Sequence, residues 1–199
     1  MDFERTVLFV GAATVLLGSP GPGIGALIAV GRQGGFTAGQ RFFWGLQAGL
    51  ALAAGLTAVG LFSLVSAIPL AHLVLTAIAT AYLLWLAFKI ATADVGKGLG
   101  GASPQAATVR GGFLLGASNP KSYMAFASLF GAYPVLVQGA RADLSLKWLC
   151  CVLVMVVVDM LWLWAGAALG RIDLNPRRER LMNVAMAAII VATALLSLI

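Results

Sequence analysis

The sequence predicts an all-α integral membrane protein with six transmembrane helices in a 3+3 inverted-topology repeat, in which helices 1 and 4 are broken. Three observations predict this fold class. The 199-residue chain is 61% hydrophobic and only 10% charged, whereas a soluble domain is about 45–50% apolar and about 25% charged. Its apolar residues form six long stretches, and two similar proline-containing strings interrupt the first and the fourth stretch.

The six apolar stretches fill nearly the whole chain. A helix that spans a bilayer needs about 20 mostly apolar residues, and each stretch meets or approaches that length. We therefore expect one membrane domain with no soluble appendage. The predicted spans cover residues 6–30, 41–62, 67–90, 109–133, 145–170 and 181–199.

The two proline-containing strings indicate an internal repeat. Residues 16–22 read LLGSPGP and residues 114–120 read LLGASNP, so four of seven positions agree. Three spans separate the copies, and an odd offset makes them enter the membrane from opposite sides, as in an inverted-topology repeat. The predicted domains are a first repeat at 1–92, a glycine-rich linker at 93–108 and a second repeat at 109–199.

The prolines should interrupt their helices, so residues 19–23 are not expected to be regular helix. Proline removes a backbone donor and clashes with the preceding turn, and the residue before it avoids the α region. Freed backbone groups in a bilayer are costly unless a ligand, water or protein satisfies them. Helix N-termini suit a carboxylate and unwound carbonyls suit an ammonium, so two facing breaks would bind a zwitterion. The alternative is a pair of kinks that serve only as hinges.

The substrate-binding residues predicted at the two breaks lie in the two strings or directly after them. They are Ser19, Pro20, Gly21, Pro22, Gly23, Asn119, Pro120 and Lys121.

Two charged residues within spans are candidates for function. Lysine inside a span is unfavourable by about 2.5–3.5 kcal/mol on insertion scales, yet Lys121 lies mid-span, and Asp159 is the only acid inside a span. Three interpretations stay open: a Lys121–Asp159 pair that locks two helices, a proton or substrate-amine site, and an Asp159 that faces a water-filled vestibule without a role. Gln47 and Trp162 are further candidates for substrate binding.

Glycines and arginines outline the first half of the chain. Gly45 and Gly49 form a GxxxG pattern, which is typical of close helix packing. Residues 31–39 are rich in glycine and are expected to form a loop, with Arg32 and Arg41 as anchors on the inside. At the start of the last span, Asn175 followed by Pro176 predicts an N-cap and first helical position.

The positive charge reports topology. The net charge is +6, and with both termini outside, nine Lys and Arg residues lie on inside loops and three on outside segments, as the positive-inside rule requires. No basic stripe with interleaved aromatics indicates nucleic acid. The two cysteines, Cys150 and Cys151, are adjacent and make no CxxC motif, so no metal or cofactor is expected.

Three segments of the chain together resemble one known family. Residues 20–55 read PGPGIGALIAVGRQGGFTAGQRFFWGLQAGLALAAG, residues 82–91 read YLLWLAFKIA, and residues 119–130 read NPKSYMAFASLF. They are similar to the PGP signature, the close of the third helix and the NPK motif of the LysE/RhtB family of amino-acid exporters. The resemblance runs from about residue 15 to the C-terminus, and Asp159 with Trp162 resembles the family's fifth helix.

The resemblance implies export of amino acids or close derivatives, driven by the proton motive force in a bacterial inner membrane. We therefore expect a secondary transporter, not an enzyme. Lys121 would pair with the substrate carboxylate or with Asp159, and Asp159 would take up the exchanged proton. The expected partners are a small amino-acid substrate, protons and the lipid bilayer, and a homodimer stays open.

Three rival functions remain at this point. The first is a passive channel or facilitator on the same scaffold. The second is a membrane redox enzyme, which would need a cysteine in each half, whereas both cysteines lie in the fifth span. The third is a metal-ion carrier, against which the single histidine argues.

Overall fold

The computed structural model describes residues 3–19, 21–60, 108–132, 140–172 and 175–196, together with isolated residues between 77 and 92. The described part is helical and contains no strand, so the all-α fold class is confirmed. The 3+3 repeat, its broken helices and its domain boundaries stay predictions. The described helices are α1 (Phe3–Gly18), α2 (Pro22–Ala58), α3 (Val109–Ser118), α4 (Pro120–Ala132), α5 (Ala140–Gly170) and α6 (Pro176–Leu196).

The first proline-containing string lies where α1 ends and α2 begins. Gly21 has an extended backbone, with φ −173° and ψ −177°, and Pro22 begins α2. The two helices are bent by 64° relative to each other. The prediction that all of residues 19–23 leave the helix is wrong for Pro22 and Gly23, because a missing donor is harmless in a first turn. Pro20 lies outside the described residues.

The second string lies where α3 ends and α4 begins. Asn119 is extended, with φ −74° and ψ 107°, as expected for a residue before proline. Its side-chain Oδ1 accepts a hydrogen bond from Lys121 N at 3.2 Å, and its carbonyl accepts one from Ser122 N at 3.1 Å. Asn119 therefore caps the start of α4, which Pro120 opens.

Residues 31–39 belong to α2, so the predicted glycine-rich loop is wrong. One residue within it departs from helical geometry: Gly35 has φ 73° and ψ 175° and kinks the helix. This region of backbone space is open almost only to glycine. Arg32 is buried and donates to Asn183 Oδ1 of α6, so it contacts another helix instead of flanking a loop.

Substituting Gly35 with alanine should destabilise the protein through the backbone alone, because a Cβ there would have no heavy atom within 4 Å. We expect a loss of about 1–3 kcal/mol in the free energy of unfolding. Denaturant unfolding of the detergent-solubilised protein measures it. Gly11→Ala is the matched control, since a Cβ there also meets nothing within 4 Å and Gly11 has no positive φ. Equal stability of both variants would show that the backbone conformation at position 35 does not require glycine.

The core is built on close backbone contacts of α2 with α3. A Cβ on Gly45 would overlap the Val109 carbonyl oxygen, and a Cβ on Gly112 would overlap that of Phe42. Gly49 and Gly116 continue the same contact one turn further along each helix. The predicted packing role of the Gly45–Gly49 pattern is therefore confirmed. Small residues let helix backbones approach this closely in membranes.

The same helix packs as closely against α5. A Cβ on Gly31 would lie 2.5 Å from the Leu163 carbonyl oxygen, and a Cβ on Gly166 would overlap that of Ile28. The N-terminal part of α2 thus lies backbone to backbone against α5, and its later part lies against α3. This places the start of α2 beside the middle of α5, where Asp159 lies.

The N-terminal ends of α5 and α6 extend beyond the predicted spans. Helix α5 begins at Ala140, before the predicted residue 145, because Lys147 Nζ and Asp143 Oδ2, one turn apart, pair at 2.7 Å and allow polar residues into the helix. Helix α6 begins at Pro176, and Asn175 Oδ1 accepts from Arg177 N at 3.0 Å. The predicted N-cap at Asn175 is confirmed.

One described helix alone is long and apolar enough to cross a membrane, over Arg141–Gly170. Helices α1 and α2 meet the same criterion when they are taken together as one bent span. Helices α3 and α4 are individually short, with 10 and 13 residues, and they follow each other within the fourth predicted stretch.

Candidate functional site

The two proline-containing strings and Asp159 meet at one cavity. The space between its lining residues is about 430 Å³ when the open solvent at its mouth is counted. The described residues that line it come from the end of α1, the start and middle of α2, the start of α4 and the middle of α5. They are Leu16, Leu17, Ser19, Gly21, Pro22, Gly23, Ile24, Leu46, Leu50, Asn119, Lys121, Ser122, Ala125, Met155 and Asp159.

Lys121 connects the start of α4 to the end of α1. Its Nζ donates to the Ser19 carbonyl oxygen at 2.7 Å and lies 2.9 Å from Ser19 Oγ. Carbonyls at a helix C-terminus lack intrahelical partners and carry partial negative charge, so they attract an ammonium. Ser19 follows the last residue of α1, and the half-buried Lys121 is held there with its ammonium at the cavity wall.

Gly21 leaves the space that the Lys121 side chain occupies. A Cβ on Gly21 would lie 2.8 Å from Lys121 Nζ and 2.9 Å from its Cδ. The neighbouring start of α2 has no side-chain cap, so the N–H groups of its first turn have neither a helical partner nor a capping side chain. An ammonium and an uncapped helix N-terminus therefore lie side by side, an arrangement that suits a carboxylate.

Asp159 forms another polar part of the wall. It is 5% exposed and its Oδ2 accepts a hydrogen bond from Gln47 Nε2 at 2.7 Å. Gln47 lies on α2 and is itself buried. The hydrogen bond satisfies one carboxyl oxygen of a group that burial would otherwise penalise. Lys121 and Asp159 thus each contact a different polar partner and both line the same cavity.

Trp162 supports the end of α1 from α5. Its Nε1 donates to the Gly18 carbonyl oxygen at 3.3 Å, which satisfies an acceptor that the helix end leaves free. Three predicted site residues are not among the described residues that line the cavity: Gln47, Pro120 and Trp162. Gln47 instead hydrogen-bonds to Asp159, and Trp162 hydrogen-bonds to the Gly18 carbonyl at the end of α1. Ser19, Gly21, Pro22, Gly23, Asn119 and Lys121 line the cavity. Their role in substrate binding stays a prediction.

Sequence reasoning missed most of the apolar wall. Leu46 and Leu50 lie one turn apart on α2, and Met155 lies one turn before Asp159 on α5. The helical spacing of Met155 from Asp159 was a usable signal, because residues four apart share a face. Leu46 and Leu50 gave no such signal, since leucines are frequent throughout the chain.

A metal site is not formed by the described residues. No group of three His, Cys, Asp or Glu side chains lies together in the part of the chain that the structure describes. Cys150 and Cys151 are both free thiols on α5, and neither is among the described residues that line the cavity.

Comparison with known proteins agrees with the resemblance in the motifs. No curated protein and no solved structure matches the chain. The model of the family described as LysE type translocator, however, matches residues 14–199. This family consists of transporters rather than enzymes. Because the match covers most of the chain, the chain belongs to the LysE type translocator family and is therefore a membrane transporter.

Proposed function

We propose that the chain is a secondary transporter that exports amino acids or related small zwitterions by proton antiport. The observation that carries the proposal is the cavity that holds one lysine ammonium and one buried carboxyl group, Lys121 and Asp159, between helix ends. A zwitterion carries the complementary pair of charges on one small molecule.

The substrate carboxylate binds at the start of α2. Lys121 Nζ supplies the positive charge, and the uncapped first turn at Gly23 and Ile24 supplies N–H donors, since both residues line the cavity. Charge-assisted hydrogen bonds are about twice as strong as neutral ones. Lys121 can exchange the Ser19 carbonyl for the substrate carboxylate without leaving its place on the wall.

The substrate ammonium and the proton compete for Asp159. A bare carboxylate within the membrane is unfavourable, so it is stable only with a proton or a cation. The ammonium and the proton neutralise the same group and therefore cannot both be bound. A carrier that changes its facing only when Asp159 is neutralised must exchange one for the other, which is antiport.

The proposed location is a bacterial inner membrane with both termini outside. The nine-to-three excess of basic residues on inside loops supports this orientation. In such a membrane the proton gradient is directed inward, so exchange through Asp159 drives the substrate outward.

Uptake into everted membrane vesicles tests the proposal. With an acidic lumen, vesicles that contain the protein should accumulate a labelled amino acid above its concentration in the medium, and a protonophore should abolish the accumulation. Vesicles without the protein are the control. A passive channel would bring the amino acid only to equal concentrations, and that result would replace antiport by facilitation.

Gly21→Ala should weaken substrate binding. The added Cβ would lie only 2.8 Å from Lys121 Nζ, so it would displace the Lys121 side chain. Loss of a hydrogen bond to a charged group corresponds to about 1.5–3 kcal/mol, so we expect the half-saturation concentration to rise by at least about tenfold. Vesicle uptake at varied substrate concentrations measures it. Gly11→Ala, where a Cβ meets nothing within 4 Å, is the control. An unchanged half-saturation concentration would show that Lys121 does not bind the substrate.

A further inference from the structure

We infer that the substrate is a neutral α-amino acid with an aliphatic side chain. The inference rests on the proposed function and specifies the substrate class of the same cavity. It follows from how the charged, polar and apolar groups are divided over the cavity wall.

The two charged groups of the wall both pair with the α-carboxylate and the α-ammonium of the substrate, so neither is left for a charged substrate side chain. Among the described lining residues, Lys121 and Asp159 are the only ionisable ones. The α-carboxylate pairs with Lys121 and the α-ammonium with Asp159. A lysine or glutamate side chain would then bring a third charge into a site without a counter-charge, and an unpaired charge removed from water is strongly disfavoured.

Two of the three neutral polar side chains on the wall are already engaged. Ser19 Oγ donates to the Leu16 carbonyl oxygen at 2.8 Å and lies 2.9 Å from Lys121 Nζ. Asn119 Oδ1 accepts from Lys121 N at 3.2 Å. A substrate hydroxyl or amide would therefore gain few new hydrogen bonds to replace those that it makes in water.

The rest of the wall is aliphatic. Leu17 of α1, Leu46 and Leu50 of α2, and Met155 of α5 all face the cavity, and Leu46 and Met155 are almost fully buried. No aromatic ring occurs among the described lining residues. Apolar surface on a substrate is stabilised against such a wall in proportion to the area that leaves water, so leucine gains more than alanine or serine.

Competition in everted vesicles tests the inference with the wild-type protein. Unlabelled leucine, methionine, alanine, serine, lysine and glutamate are each added against one labelled amino acid that the vesicles accumulate. We expect leucine and methionine to compete at concentrations at least about tenfold lower than serine, lysine or glutamate, as expected for discrimination by an apolar pocket. Stronger competition by lysine, glutamate or serine would overturn the inference and leave the exporter proposal intact. If none of the amino acids is accumulated, the proposed function itself fails, and the inference with it.

A pair of leucine variants on α2 locates the apolar part of the site. Leu50 is 7% exposed and lines the cavity, whereas Leu52 is 45% exposed and does not line it. Leu50→Ala should reduce the preference for leucine over alanine by about tenfold, and Leu52→Ala should leave it unchanged. An unchanged preference in Leu50→Ala, at wild-type protein levels in the membrane, would overturn the assignment. If Leu50→Ala does not reach the membrane, the wild-type competition decides.

Discussion

Asp159→Asn is expected to abolish proton-driven accumulation of the substrate in everted vesicles. The amide has the shape of the carboxyl group, and like the protonated acid it is neutral, but it cannot take up or release a proton. The variant therefore resembles a carrier that is permanently loaded with a proton. The substrate ammonium also loses its charged partner. A hydrogen bond to a charged group contributes about 1.5–3 kcal/mol. We expect residual flux at most about a tenth of the wild-type rate, with no response to the imposed gradient.

Glu4→Gln provides the matched control for this variant. Glu4 is an exposed acid in the first turn of α1, and its substitution removes one carboxylate without touching the cavity. Its accumulation should equal that of the wild type. Proton-driven accumulation by Asp159→Asn at the wild-type rate would show that the proton travels through another group.

Gly112→Ala is expected to destabilise the protein strongly. A Cβ there would overlap the Phe42 carbonyl oxygen and lie 2.8 Å from Leu46 N. Both are backbone atoms of α2, so no side chain can rotate away, and α3 must separate from α2. Overpacking of this kind lowers the free energy of unfolding by about 1–3 kcal/mol, and by more where the backbone cannot move. Thermal unfolding in detergent measures the loss.

The same substitution should also impair transport. Helix α3 ends directly before Asn119, so a displaced α3 moves Asn119 and the start of α4, which carries Lys121. Gly131→Ala on α4 is the control, because a Cβ there has no heavy atom within 4 Å. If both alanine variants unfold at the same temperature, the close contact of α2 with α3 is not a determinant of stability.

The helix ends were predictable because proline acts locally. Its missing donor and its effect on the preceding residue require no knowledge of the partner helix, and the structure ends helices at Gly18 and Ser118. The N-cap at Asn175 is local for the same reason. The helical fold was also predictable from the apolar composition, because backbone groups in lipid must be satisfied within a helix. The described part of the chain contains no strand, in agreement with this prediction.

The contacts between helices were not predictable from one sequence. Periodicity places Gln47 and Asp159 each on a helix face, but it does not set the register of α2 against α5, 112 positions apart. The Lys121–Ser19 contact depends in the same way on how two helix ends meet. Residues 31–39 were misjudged because glycine runs usually form loops, whereas here Gly31 serves close packing against α5 and Gly35 alone bends the helix.

Proton movement during transport by purified protein tests the central claim most directly. The protein is reconstituted in liposomes with a pH-sensitive dye inside and equal pH on both sides, and an amino acid that it carries is added outside. Antiport through the Lys121–Asp159 cavity predicts that the lumen becomes alkaline as the substrate enters, saturably, and that the signal is absent in Asp159→Asn. Entry of labelled substrate without any change in luminal pH in the wild type would contradict the account.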